Sequence, residues 1–469
     1  MVARAHLVSY PLAMTDDTAL APKATRRSTS RFLRPWVIVP AVIAFVVFGA
    51  VALLLLPQLL LDNWLANQEV DTATVRLAVG NAAQVVLFSL GGVIALVGVT
   101  LSLSRHGLEL ENAENERAKE ERRITELEQQ RHADGDRELR ARFAQAVGLL
   151  SDPDKPTTRQ AGMYALAALA DDWANHGRTD ERQVCIDVLC GYLRSRWDPT
   201  SDKGDDERRI RATGFDLIGT HHRQADGQPS WDGARFNIQG AIIDFDINFR
   251  NTRFASSRVD LSHAVFSGGT VSFTHGSIQG GGLTFSQAQF LGATLSFFGT
   301  ELMGGSIDFE HCSMSGGRLT FSHAKFLGAD LAFEYWTQSG GEILFTRSNL
   351  SEGSISFADA KFAGGYFNFG SAVFEGTLVD FDGASFSGTN MSFGGSKFRA
   401  GELTFHSATF DGSEMSFSRA QLSGSIVSFG DSLFKSGQVD FEYAKFAGGD
   451  VSVGETKFSS QPVIFPWLK

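Results

Sequence analysis

Cysteine is scarce: three in 469 residues. Cys185 and Cys190 stand five apart in a helical pattern, and Cys312 fills a position usually held by small residues. That excludes a disulfide framework. No zinc-protease helix motif, nucleotide phosphate loop or Gly-x-Ser-x-Gly elbow occurs, so no catalytic, cofactor-binding or metal residue is expected. A basic stripe is also missing. Lys and Arg number 42 against 53 Asp and Glu, a formal charge of -11, so no nucleic-acid partner is expected.

Two stretches lack charge altogether. Val37–Leu61 is interrupted only by Pro40, Pro57 and Gln58, and Ala82–Leu103 has Gln84 as its most polar member. Each exceeds the roughly 20 residues that cross a bilayer, and a cleaved signal peptide would leave the second unexplained. Residues 37–61 and 82–103 are therefore expected to contact lipid as a transmembrane hairpin. Arg4, Lys23, Arg26, Arg27, Arg31 and Arg34 precede it, whereas the loop Asp62–Thr74 has no Lys or Arg. More basic residues follow from Arg105 onward. The positive-inside rule then puts both termini in the cytoplasm of a bacterial inner membrane.

What the chain does have is a twelve-residue phrase, read as nineteen ungapped copies from Gly240 to Trp467. One copy runs Ala408-Thr-Phe410-Asp-Gly-Ser-Glu-Met415-Ser-Phe417-Ser-Arg419. Position 10 is Phe in 17 of 19 copies, position 3 is Phe in 12, and position 8 is always apolar. Residues two apart on an extended segment share a face, so positions 1, 3, 8 and 10 should point inward. Gly at positions 5 and 6 suits the corners. A short fixed period of this kind predicts a solenoid. Twelve residues enclose too little space for two Phe, an aliphatic and a small residue in each layer. Two phrases per turn are therefore expected, giving about 9.5 turns.

The phrase resembles the tandem small-polar-Phe-x-x unit of the pentapeptide-repeat family, in a Phe/Gly-rich variant seen at Ala444-Lys-Phe446-Ala-Gly-Gly-Asp-Val451. That resemblance implies a right-handed quadrilateral β-helix. Three helix-period segments precede it: Leu139–Leu150, Thr157–Trp173 and Asp180–Arg196, with Asp180 expected as an N-cap. Arg142-Phe143, Arg159-Gln-Ala-Gly162-Met-Tyr164 and Val188-Leu189-Cys-Gly-Tyr192 resemble a HEAT-like module found between membrane spans and pentapeptide repeats in bacterial membrane proteins. Trp231-Asp-Gly-Ala-Arg-Phe236 resembles that group's lead-in to the β-helix.

The expected organisation is a disordered basic tail (1–34), the hairpin (35–104), a charged helical stalk (105–136), a helical adaptor and linker (137–230) and the β-helix (231–469). The expected role is a membrane-anchored scaffold or protein-interaction module with an unknown protein partner and no catalysis. The alternative is a membrane-tethered regulator of a DNA-processing enzyme by DNA-like charge mimicry. His263, His275, His311 and His323 share position 12 but lie two turns apart in pairs, too far to share a metal ion. Asp260, Asp308, Asp380 and Asp440 share position 9. A helix at Glu207–Ile218 is expected to cover the first turn, and Pro462, Pro466 and Trp467 the last, with a homo-oligomer through that end as the other option.

Overall fold

The computed structural model describes residues 40, 43–52, 54, 55, 59, 72–223 and 229–459. The chain forms two compact units, Met1–Gln129 and Gln130–Lys469. Residues 43–52 are helical, and the longer helices that follow are α1 (Thr72–Leu150), α2 (Pro156–Asn175), α3 (Thr179–Leu193) and α4 (Gly204–Thr220).

Three expectations for the helices change. The second apolar stretch, the stalk and the first adaptor segment are separate in the sequence reading but belong to one assigned helix, α1. The repelling and helix-favouring residues of the stalk give no Gly or Pro pair at which to stop it. Asp180 sits in the first turn of α3 rather than capping it; the N-cap is Arg178, without a side-chain cap bond. A carboxylate in that first turn complements the helix dipole instead. Finally, among the described residues no helix is long and apolar enough to cross a membrane, so the transmembrane hairpin finds no support in the fold. Much of Val37–Leu61, and several side chains within Ala82–Leu103, lie outside the described residues.

From Arg235 the chain is a parallel β-solenoid of about 9 turns, consistent with a pentapeptide-repeat fold. Its strands form sheets of 15, 10 and 9 strands. Partners are 24 residues apart in nearly every pair, as in Thr294↔Arg318 and Phe362↔Phe386, so two phrases make one turn. Four sides follow in order. The side at Arg258–Asp260 leads to Val265–Phe266, then Thr270–Ser272, then Ser277–Gln279. The fourth side runs on into the first side of the next turn within single eight-residue strands such as Lys325–Ala332.

The first copy departs from the expected ungapped repeat. Ile242↔Val265 and Phe236↔Val259 pair at 23 residues, and Ala241 and Ile243 face inward in place of Gly240 and Ile242. The missing residue lies at the corner before Ile247, where no repeat side chain points in. There Phe245 packs against Phe215 of α4 and Trp197, at 6.0 and 6.4 Å between centroids.

Inside, the position-10 phenylalanines form two stacks. One includes Phe273, Phe297, Phe321 and Phe345, with centroids 4.9, 4.8 and 4.9 Å apart. The other includes Phe309, Phe333, Phe357 and Phe381 at 4.8, 4.4 and 4.8 Å. A parallel ladder repeats at about 4.8 Å, close to the spacing of stacked rings, so backbone and side-chain periods reinforce each other.

Glycine at the corners is a steric requirement as well as a conformational one. A Cβ on Gly353, at φ +88°, would come within 2.1 Å of the Ala329 carbonyl oxygen one turn earlier. The opposite corners use a second device. Position 12 is left-handed even without glycine, as at His263 (59°), Arg347 (58°) and Tyr443 (58°). It is the third residue of a turn closed by an amide at position 1 and the carbonyl at position 10, as in Ala288 N–H to Phe285 O at 2.8 Å.

Phe393 stacks between Phe369 and Phe417 at 5.1 and 4.7 Å and is fully buried. Phe393→Ala should destabilise the solenoid by about 3–5 kcal/mol, while Lys361→Ala on the outer surface should stay within about 0.5 kcal/mol. Hydrogen exchange of the flanking turns checks this. Equal protection in both variants would mean that the stack does not hold the turns together.

Candidate interaction surface

The start of the solenoid is covered by the helical module through a polar clasp. The α4 C-terminus ends in two histidines. His222 is buried and stacks on Phe254 at 4.4 Å. Its Nδ1–H donates to Ile218 O at 2.8 Å, leaving Nε2 to accept from the Ser257 hydroxyl at 2.9 Å. Burial is the main reason its pKa falls below the usual imidazole range, which agrees with a neutral ring. Ser257 also accepts from the Gly233 amide at 3.1 Å. Asp232 accepts from the Ala255 and Ser256 amides at 3.2 and 3.0 Å. His221 stacks on Trp231 at 4.0 Å, and Asp171 of α2 bonds both rings, at 3.1 and 2.9 Å.

A Ser–His pair at 2.9 Å looks like a nucleophile beside its base. Ser257 is completely buried, however, so the pair joins helix to strand and faces no substrate. The cysteines are equally closed: burial raises Cys185 and Cys190 to about 12, and pushes Cys312 well above the ordinary thiol range. A buried cysteine held in the thiol form is a poor nucleophile.

The position-12 histidines divide between opposite corners. His263 and His311 lie on one, with His311 stacked on Tyr335 at 4.8 Å. His275 and His323 lie on the other, each beside Phe298 at 5.7 and 5.0 Å. Among the described residues no group of three or more His, Cys, Asp or Glu could hold a metal ion.

The shared position-9 aspartates divide in the same way. Asp260, Asp308 and Asp380 fall on the corner between the first and second sides; Asp440 falls on the corner diagonally opposite. Along the first of these corners, positions 9, 11 and 12 carry nine carboxylates and no Lys or Arg. Six crowd into four turns: Asp308, Glu310, Glu334, Asp359, Asp380 and Asp382. Burial, then repulsion between neighbours, shifts three of them. Asp380 rises to about 6 through burial with Asp382 and Glu334 nearby, and Asp308 and Glu310 are raised for the same reasons. The opposite corner bears Arg250, Arg347 and Arg419, and the adjoining outward row adds Arg253, Lys325, Lys397 and Lys445. A twelve-residue reading superimposes these two corners and hides the difference.

Shallow grooves mark the outer surface. One of about 670 Å³ runs past Arg253, His275, Phe298 and Lys325; another of about 660 Å³ is floored by Gly280, Gly281 and Gly305. No protein-family model, curated protein or solved structure matches the chain.

Two pH effects follow. Folded Asp380 holds its proton to about pH 6 while the unfolded carboxylate loses it near 4, so this group weakens folding as pH rises between those values. Asp380→Asn should raise the melting temperature at pH 7.5 and leave it unchanged at pH 4; an unchanged or lower value at pH 7.5 contradicts the repulsion. His222 acts in the other direction. The unfolded imidazole takes up a proton that the folded one resists, so stability falls as pH drops through about 6.5. Replacing His222 by Gln should flatten that acid limb in a thermal melt, and an acid limb of full steepness would remove His222 from the account.

Proposed function

We propose that this chain is a membrane-anchored scaffold whose β-solenoid, of pentapeptide-repeat type, presents a protein-interaction surface in the bacterial cytoplasm. The observation that carries the reading is the division of roles within each turn. Inward columns are closed by stacked rings, so recognition falls to the outward rows, which packing leaves free to vary. The helical module covers the first turn and belongs to the same compact unit.

Anchoring rests on the uncharged run Ala82–Leu103 and on exposed apolar side chains within it. Leu87, Phe88, Ile94, Leu96 and Val99 are 56–73% exposed. In water, that much apolar surface on one helix is unfavourable, whereas lipid accepts it. The absence of Lys and Arg from Asp62–Thr74 supports both termini in the cytoplasm.

A second reading has one observation in its favour: carboxylates gather on a single corner, as a charge mimic of DNA would need. Density weighs against it. Nine carboxylates over about 9 turns give roughly one per 4.8 Å, against about one charge per 1.7 Å of duplex. The scaffold is the reading we retain.

The test is topology. The full chain should stay with membranes through an alkaline carbonate wash. A cytoplasm-dependent reporter should be active after Lys469 and silent near Asn67. Leu96→Arg should impair insertion, at a cost of about 2.5–3.5 kcal/mol. Release of the unmodified chain by carbonate would overturn the anchor.

A further inference from the structure

The two oppositely charged corners are the part of this surface that the scaffold reading leaves unexplained. Among the described residues, no Lys or Arg forms an ion pair with the six crowded carboxylates at Asp308–Asp382. Histidines share that corner: His311 adjoins Glu310 in sequence, and His406 lies 3.5 Å from Asp431. Asp308, Asp380 and Asp382 bond backbone amides or hydroxyls, as where Asp382 accepts from Thr404 Oγ1 at 2.9 Å and His406 N at 3.1 Å. On the opposite corner and its adjoining row, Arg250, Arg347, Lys397, Arg419 and Lys445 make no ion pair either; Lys325 is held by Glu301 at 3.0 Å. Counting the adjoining outward row on both sides, one edge has nine carboxylates against Lys361 and Lys457. The other has seven Lys or Arg against Glu301, Asp440 and Glu442.

We infer that the acidic edge is a docking surface for the basic edge of a second copy of this chain, laid alongside in parallel. Charge complementarity selects this occupant, and three features of the fold fit it. Both edges repeat at the same interval, since each gains one row per 24-residue turn. Their charges also occupy matching heights. Lys325 falls about two-thirds of a turn after Asp308 and Glu310, Arg347 about half a turn after Glu334, and Lys397 about two-thirds of a turn after Asp380 and Asp382. A partner displaced sideways without rotation therefore sets cations between successive carboxylate rows. The third feature is the crowding itself: carboxylates pushed together on one corner repel, and apposed cations relieve that repulsion.

Because the two edges are diagonal to each other, docking one leaves the other open on each copy. The contact is heterologous and propagates into a row instead of closing as a dimer. Such an interaction lies at exposed charges, so salt screens it.

A charge-swap experiment with the full chain tests the inference. Variant one carries Glu310→Lys, Glu334→Lys and Asp359→Lys; variant two carries Lys325→Glu, Arg347→Glu and Lys397→Glu. Five of the six positions are exposed and Glu334 is half-buried, so circular dichroism first confirms that each variant folds. Sedimentation of the detergent-solubilised chain at 25 mM salt should show concentration-dependent association of the native protein, lost at 500 mM. Each variant alone should lose it at low salt, because variant one's acidic edge is left with six carboxylates against five lysines, and variant two's basic edge with four Lys or Arg against six carboxylates. An equimolar mixture of the two should recover it as mixed pairs, through the basic edge of variant one and the acidic edge of variant two. Native chain that stays monomeric at low salt, or a mixture that fails to recover association, overturns the inference. So does a variant that associates as well as the native chain. Binding of a polylysine peptide by monomeric native chain would assign the acidic edge to a foreign cationic partner instead.

Discussion

Everything in the solenoid depends on the match between two periods. The parallel backbone ladder advances about 4.8 Å per turn, and aromatic rings stack most closely at nearly that distance. Phe297 and Phe321 lie 4.8 Å apart and within 3° of parallel; Phe386 and Phe410 lie 5.0 Å apart and within 4°. Neither ladder nor stack has to distort for the other. That is why phenylalanine at position 10 can recur without the strain that a bulky residue would cause at another spacing. The small residue at position 1 follows from the same geometry, since Ala264, Ala288 and Ala408 fit fully buried beside the turn that closes on them. Outward rows inherit the period without sharing its packing demands, and so can carry charge.

Architecture was legible from the sequence because both strong signals are local. Inward columns two residues apart, and glycine pairs at corners, can be read from a single phrase. The number of phrases per turn needed a packing argument, and Thr294↔Arg318 pairing bears it out. The one-residue deletion in the first copy was not legible. Gly240 and Ile242 fit the small and apolar columns as well as Ala241 and Ile243 do, and only the pressure of Phe215 on Phe245 decides between them. The left-handed residue at position 12 was hidden for another reason. Its occupants include His, Arg, Tyr, Ser and Asp, with no composition to mark the backbone conformation. A hydrogen-bonded turn and a buried position-10 side chain impose that conformation from both sides.

The interaction surface was the least legible part, and the cause is again a period. Reading at twelve residues places Asp308 and Asp440 in one column, and Arg347 with Asp359 in another. Only a 24-residue turn puts those pairs on opposite corners. What reads as mixed charge along the chain is segregated charge in space. The clasp between module and solenoid was invisible in a related way. His222 and Ser257 are 35 residues apart, and neither belongs to a pattern; their 2.9 Å contact exists because α4 ends above the first turn.

One layer runs against the rule that the others obey, and it clarifies what the rule achieves. At 336–338 the small position is Trp336 and the aromatic position is Gln338, both fully buried. Trp336 fills the volume by packing on Phe290, Phe309 and Phe333 at 5.8, 6.3 and 5.5 Å. Gln338 donates to Gly341 O at 3.2 Å, but its carbonyl oxygen and the Trp336 indole N–H have no protein partner. A buried polar atom without a partner costs about 1–3 kcal/mol, so this turn is less stable than its neighbours. It is also the turn that cannot be exchanged with them. Turns that are nearly identical can pair one register off at little cost, as repeated units in other assemblies do, and a polar residue in an apolar column penalises the wrong register. The layer that weakens the stack is therefore also the one that marks a single turn off from the rest, which a uniform column of phenylalanine could not do.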